Sequence, residues 1–240
     1  MNKKTIIPYI TGGDPNIQTT EKLITALDNA GADMILVGVP FSDPIAEGPI
    51  VEAATDRALQ GGCTVDALFD MLEKIEVDAP IIFMTYYNPV YAYGVVRFTA
   101  RAKTCGIAGL IVPDLPFEER DELLKPCHDC GLELISVIAP SSEQRIDKIA
   151  KNSGEFLYCI SSLADTGATA NMVKRAKAVS DIPCCAGFDL ATVQDAKNVA
   201  EFADGIIIGD AIVKIIAEHG ENCVDAVAQF VKTIKKEVQS

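Results

Sequence analysis

Short runs of aliphatic and β-branched residues alternate with longer polar segments of helical period along the whole chain. The runs predict strands at Thr5 to Ile10, Met34 to Val39, Ile81 to Tyr86, Gly109 to Val112, Glu133 to Ile138, Phe156 to Ile160, Ile182 to Ala186 and Gly205 to Ile208. They are continuously apolar rather than alternating, as strands of a parallel sheet covered on both faces are. Between them, "IQTTEKLITALDNA" and "PFEERDELLKPCHDC" predict amphipathic helices, the second opening on acids that a helix dipole favours. "GADMILVGVP", "GIAGLIVPDL" and "FADGIIIGDA" each pass from a helix end through a strand into a polar loop, so one βα unit recurs. Eight such units in 240 residues predict an α/β fold, a closed (β/α)8 or TIM barrel, as a single domain over 1–240, ahead of an open doubly wound sheet.

Either fold puts its chemistry in the loops at the C-terminal ends of the strands. After strand 2, "PFSDPIAEGP" offers Ser42, Asp43 and Glu47; Asp43 is open to a turn-capping role, while Glu47 has no such geometry to serve. After strand 3, Tyr86, Tyr87, Tyr91 and Tyr93 are candidates to wall a pocket for a flat ligand. After strand 4, Pro113 and Pro116 stiffen a loop that presents Asp114, suited to docking or catalysis. The last three loops, "SSLADTGATAN", "AGFDLAT" and "IIIGDAIV", bring Asp165, Asp189 and Asp210 to a place where many barrels bind phosphate; N-capping is the plain alternative for Asp189 and Asp210.

Composition narrows the partners. A net charge of −13 opposes nucleic acid and anionic membranes, and no apolar run is long enough to span a bilayer, so a cytoplasmic protein is expected. The eight cysteines are scattered through apolar segments and read as reduced thiols. "CHDC", Cys127 to Cys130, has metal-like spacing but no second ligand pair, and neither metal nor cofactor is expected. No GxSxG, HExxH or P-loop occurs, and His128 and His219 lie away from strand ends, which leaves acid/base work by carboxylates.

"PYITGGDP", "GVPFSDPIAEGP", "MTYYNPVYAYG", "GLIVPDLPFEE" and "DGIIIGDAIVKII" together resemble the tryptophan synthase alpha subunit family over essentially the whole chain. That resemblance implies a carbon-carbon lyase that cleaves indole-3-glycerol phosphate to indole and glyceraldehyde 3-phosphate. A strand 2 glutamate would shuttle protons, a loop 2 aspartate would hold the indole N–H, and glycine-rich loops would hold the phosphate. A pyridoxal-phosphate-dependent beta-type subunit is the implied partner, met through Ser42, Asp43, Pro44 and Asp114.

The fit is uneven. Against the family's Glu-Leu-Gly-Val-Pro-Phe-Ser-Asp, Val37 is taken to stand in the place of the catalytic glutamate, and Glu47 in that of the loop 2 aspartate. Tyr86, Tyr158, Thr166, Gly167 and Gly209 fill ligand-binding places, while Asp165, Asp189 and Asp210 bring new charge to the phosphate loops. At ~6 Å and an effective dielectric near 20, each carboxylate would oppose a phosphate charge by a few kcal/mol. The reading that follows is an alpha-like protein whose cleavage activity is lost or strongly altered, acting through Glu47 on a non-phosphorylated small molecule. Its alternatives are a non-catalytic partner of a beta-type subunit and an ordinary alpha subunit.

Overall fold

A computed structural model describes residues 3–45, 47–160 and 166–239. Eight parallel strands close into a barrel in chain order: β1 (Thr5–Thr11), β2 (Ile35–Gly38), β3 (Ile81–Met84), β4 (Ile107–Ile111), β5 (Glu133–Ile138), β6 (Leu157–Ile160), β7 (Cys184–Phe188) and β8 (Gly205–Ile208). Around them run α1 (Ile17–Asn29), α2 (Pro49–Gln60), α3 (Val65–Leu72), α4 (Tyr87–Tyr93), α5 (Val95–Thr104), α6 (Asp121–Cys130), α7 (Ile146–Lys151), α8 (Thr166–Val179), α9 (Val193–Ala200), α10 (Asp210–His219) and α11 (Val224–Gln239). The closed barrel expected from the recurring βα unit is present.

Local signals set the helix ends. Asn16 caps α1 by accepting from Thr19 N at 2.8 Å, and Thr192 and Asp195 form a reciprocal capping box on α9. Gly131 ends α6 in the left-handed region, φ 67°, where a side chain would be strained. α6 is shorter than its polar pattern suggests, starting at Asp121. β3 also stops earlier than its sequence suggests, at Met84, and "YNPVYAY" turns into α4.

Two apolar layers fill the molecule. Ile7, Tyr9, Leu36, Ile82, Met84, Ile111, Ile135, Tyr158, Cys185 and Ile207 pack inside the barrel. Ile6, Ile10, Ile35, Val37, Phe83 and Leu110 belong to the layer between strands and helices. The register explains the division: Tyr9 pairs with Leu36 and Leu36 with Ile82, while Ile10 pairs with Val37 and Val37 with Phe83, and paired residues share a face. Gly38 is a glycine because Tyr9 fills its space; a Cβ there would lie 2.1 Å from the Tyr9 hydroxyl.

All eight cysteines are free thiols and seven are buried. Cys127 sits in the outer core, where burial pushes its thiol up to about 12, and Cys130 donates to Thr99 Oγ1 at 3.7 Å.

Candidate active site

The inward face of β1 carries Tyr9 and Thr11, whose hydroxyls lie 3.3 Å apart, both buried. Tyr9 packs on Phe188 at the end of β7, ring centroids 4.8 Å apart. Phe188 holds φ 123°, a conformation that costs a non-glycine residue about 1–3 kcal/mol and that clusters at functional positions. Burial raises the pKa of Tyr9 and the nearby charge of Glu47 raises it further, so its phenol stays protonated.

Glu47 closes this side of the mouth. Burial first, and then the negative charge of Glu52 in the first turn of α2, push its carboxyl up to about 7 against a hydrogen bond from Thr55 that favours the ionised form. Oε2 of Glu47 is buried with no hydrogen-bond partner among the described residues. Such an oxygen is suited to meeting a ligand donor, and the carboxyl can give or take a proton near neutral pH. Tyr86, 3% exposed, steadies the same loop: its hydroxyl accepts from Ile45 N at 3.1 Å, and its ring packs on Phe41 at 5.5 Å.

The opposite side is acidic. Tyr158 on β6 is 1% exposed, and burial together with the charges of Asp189 and Asp210 raises its pKa. Asp210 is raised by burial and by Asp189, with Lys214 acting in the opposite sense. Gly209 occupies the N-cap of α10, so Asp210 is the first helical residue rather than the cap. Thr192 caps α9, so Asp189 does not cap that helix either. Gly209 is packed against Phe188, where a Cβ would come within 3.0 Å of the ring. Thr166 and Gly167 open α8 and are exposed. Asp165 lies outside the described residues.

Three expectations need correction. Val37 does not aim into the mouth: it is buried in the helix-facing layer, and the inward residue of β2 is Leu36. Aligned on the shared Gly-Val-Pro-Phe-Ser-Asp, the chain reads Leu36, Val37, Gly38, so the glutamate's place falls on Leu36, not Val37. Nor do the four tyrosines after β3 form one wall. Only Tyr86 turns to the mouth; Tyr87 donates to Glu122, Tyr93 to Asp66, and Tyr91 is 67% exposed. Finally, Asp114 is not simply presented outward, because both its oxygens accept from Tyr87 N, at 2.9 and 3.1 Å, holding the start of α4.

At the rim, Ser42 donates to Asp43 Oδ2 at 2.6 Å, and both are exposed beside Pro44 and an Ile45 that is 77% exposed. Residues that sequence reasoning passed over are Tyr9, Thr11, Leu36, Thr55 and Phe188. Tyr9 and Thr11 were findable, since they alternate with apolar residues at the end of the first strand and so share one face.

The tryptophan synthase alpha chain family model matches residues 1–239. The tryptophan synthase alpha chain of Thermoanaerobacter sp. (strain X514) is 38% identical over 245 residues, covering 98% of this chain and 94% of its own. That of Lacticaseibacillus casei is 38% identical over 248 residues, covering 100% and 93%. Among solved structures, tryptophan synthase subunit alpha from Legionella pneumophila str. Paris is similar with a TM-score of 0.91 at 34% identity, covering 98% of this chain and 92% of that one. A chain of the tryptophan synthase a2b2 complex from Pyrococcus furiosus is similar with a TM-score of 0.90 at 32% identity, covering 98% and 99%.

Proposed function

The chain belongs to the tryptophan synthase alpha chain family, and on that premise we propose that it works as an alpha subunit, cleaving indole-3-glycerol phosphate with Glu47 as the acid/base group. The observation that carries this reading is the half-buried Glu47 carboxyl, held near 7 with Oε2 unpartnered among the described residues. Protonated Glu47 gives its proton to the ring carbon that bears the side chain. The resulting carboxylate takes the proton of the adjacent side-chain hydroxyl. The carbon-carbon bond breaks, its electron pair returns to the ring to give indole, and the former alcohol becomes the aldehyde of glyceraldehyde 3-phosphate. Glu47 ends protonated as it began. With Leu36 on the inward face of β2, one carboxyl serves both transfers, while neutral Tyr9 supplies a hydroxyl beside it.

A beta-type, pyridoxal-phosphate-dependent chain is the proposed partner. What supports it at the rim is that Ser42, Asp43 and Ile45 in loop 2 and Tyr91 on α4 are exposed, and that Asp114 holds the start of α4. Among the described residues no helix is long and apolar enough to cross a membrane, and work in the cytoplasm is part of the proposal.

One observation favours a second reading. Asp189 and Asp210 crowd Tyr158 on the side of the mouth where the family holds phosphate, which fits a hydroxyl-rich or cationic ligand without phosphate. The test is indole release from indole-3-glycerol phosphate by the purified chain, alone and with a beta-type subunit, with co-elution of the two chains measured in parallel. Indole supports the first reading. Co-elution without indole supports a docking chain, and neither result with the phosphorylated substrate turns the search to unphosphorylated ligands.

A further inference from the structure

The ring of helices around the barrel is not evenly closed. α5 packs on α6 and α7 on α8, but α6 and α7 do not close on each other in the same way. A cleft of about 350 Å³, open to solvent, lies there over β5, at the small end of the range for ligand pockets. Leu115 and Phe117 from the loop after β4, Leu134 and Ser136 on β5 and Ile149 on α7 line it, together with Arg120 just before α6. Arg120 stands apart from the other arginines. The chain has 34 acidic residues to 21 basic ones, and of its six arginines Arg57, Arg101, Arg145 and Arg175 are ion-paired and Arg97 is exposed. Arg120 is half-buried, its guanidinium over the Phe117 ring at 4.0 Å from the centroid, and Nη1 donates to Asn152 O at 3.0 Å and more weakly to Ser136 Oγ at 3.4 Å. Among the described residues no carboxylate lies within ion-pair distance of it, and its Nε and Nη2 edge has no partner. That same edge is the one with which Arg57 forks Asp14, at 2.8 Å from each nitrogen. Lys148, 5.2 Å from the Phe117 ring, is already engaged by Glu118 at 3.5 Å.

We propose that this cleft is a binding site for a small monocarboxylate with an apolar tail: the Nε and Nη2 edge of Arg120 takes the carboxylate side-on, and Leu115, Leu134 and Ile149 cover the tail. The site is independent of the reaction assigned to the barrel mouth. Two parallel N–H donors in one plane match the two oxygens of a carboxylate, and the stack on Phe117 holds that plane in advance. Burial lowers the proton affinity of Arg120, with Asp121 acting in the opposite sense, so the cation is held at a cost that a bound anion offsets. One unpaired cation balances one negative charge. In a molecule of net charge −13, with Glu119 and Asp121 flanking Arg120 in the chain, a dianion is opposed. The apolar walls set the tail, since each methylene they cover raises affinity about fourfold.

The test titrates the full native chain, labelled with nitrogen-15, with 4-methylpentanoate, with 4-methylpentanamide, which has the same shape without the charge, and with acetate, which has the charge without the tail. The acid is expected to bind at least about tenfold more tightly than either, with its amide shifts centred on Phe117, Arg120 and Ser136. This comparison needs no variant, so a folding defect cannot obscure it. Arg120→Gln should then bind acid and amide alike, and Arg120→Lys, which keeps the charge and loses the fork, should weaken the acid about tenfold. Equal affinity for acid and amide in the native chain, or no saturation by about 10 mM acid, overturns the proposal. So do shifts centred on the barrel mouth, or a preference for the acid that survives in Arg120→Gln.

Discussion

The two sides of the barrel mouth are built on different principles. On the β1 to β4 side the chain around Glu47 is tied down, Tyr86 to the backbone of Ile45 and Asp114 to the backbone of Tyr87, while Glu47 Oε2 is left without a hydrogen-bond partner among the described residues. On the β6 to β8 side, two carboxylates face one another and a buried phenol, and each raises the pKa of a neighbour. One side holds the loops around a carboxyl that keeps a free oxygen. The other is organised around charge, with two acids beside a buried phenol. A shared fold thus constrains the position of a site much more tightly than its electrostatics.

The largest effect that can break this comparison comes from the two adjacent positions on β2. Val37→Glu puts a carboxylate into the dry layer under the helices and is expected to cost roughly 3–5 kcal/mol, with the melting temperature falling about 10 °C and no gain in indole release. Leu36→Glu points the same charge at Tyr9 and Thr11, so it should cost less and raise the rate of indole release. If calorimetry and the indole assay give the reverse, the assignment of inward and outward faces is wrong.

The acidic side is tested by making it neutral. Asp189→Asn with Asp210→Ser should tighten binding of inorganic phosphate, measured by calorimetry, about tenfold or more, and a salt-insensitive affinity equal to that of the native chain would show that the carboxylates do not govern anion binding.

Loop 2 gives a smaller effect. Tyr86→Phe removes the acceptor for Ile45 N, and about 1 kcal/mol of stability should be lost along with some protection of that amide from hydrogen exchange. Unchanged exchange at Ile45 would mean that the ring packing alone holds the loop.

A last prediction concerns pH. Glu47 is raised from 4.5 to about 7 in the folded chain, so folding binds its proton more tightly. Stability from this group is therefore fully present below the unfolded value, falls as pH rises between the two values, and stays lowered above 7. Glu47→Gln should melt a few degrees above the native protein at pH 8 and show no such advantage at pH 4, by scanning calorimetry. An advantage independent of pH would locate the effect elsewhere.

The barrel was readable because a recurring unit of apolar run, polar loop and amphipathic helix leaves few architectures open, and the position of the site followed from the fold. Glu47 was readable because its loop gives it no turn to cap. Facing was not. In "ILVG" every residue is apolar, since one face meets the barrel interior and the other the helices, so no alternation marks which side a residue takes, and an error of one position exchanges the two faces. The register of β2 against Tyr9 on β1 decides between Leu36 and Val37, and counting back from the shared Gly-Val-Pro-Phe-Ser-Asp gives the same answer. Thr55, whose hydroxyl favours the ionised form of Glu47, was hidden for another reason: its place depends on a helix that starts at Gly48 and Pro49. The four tyrosines looked like one cluster in sequence, yet the helix that starts after Tyr86 carries Tyr87 and Tyr91 together, rings 6.2 Å apart, and turns Tyr93 to Asp66.

The most direct measurement is the rate of indole release from indole-3-glycerol phosphate across neutral pH, by the native chain and by Glu47→Gln, each with a beta-type subunit present. The account predicts release by the native chain that declines with a midpoint near 7 as Glu47 loses its proton, and a rate at least about a hundredfold lower in the variant. Equal rates from the two proteins would contradict it.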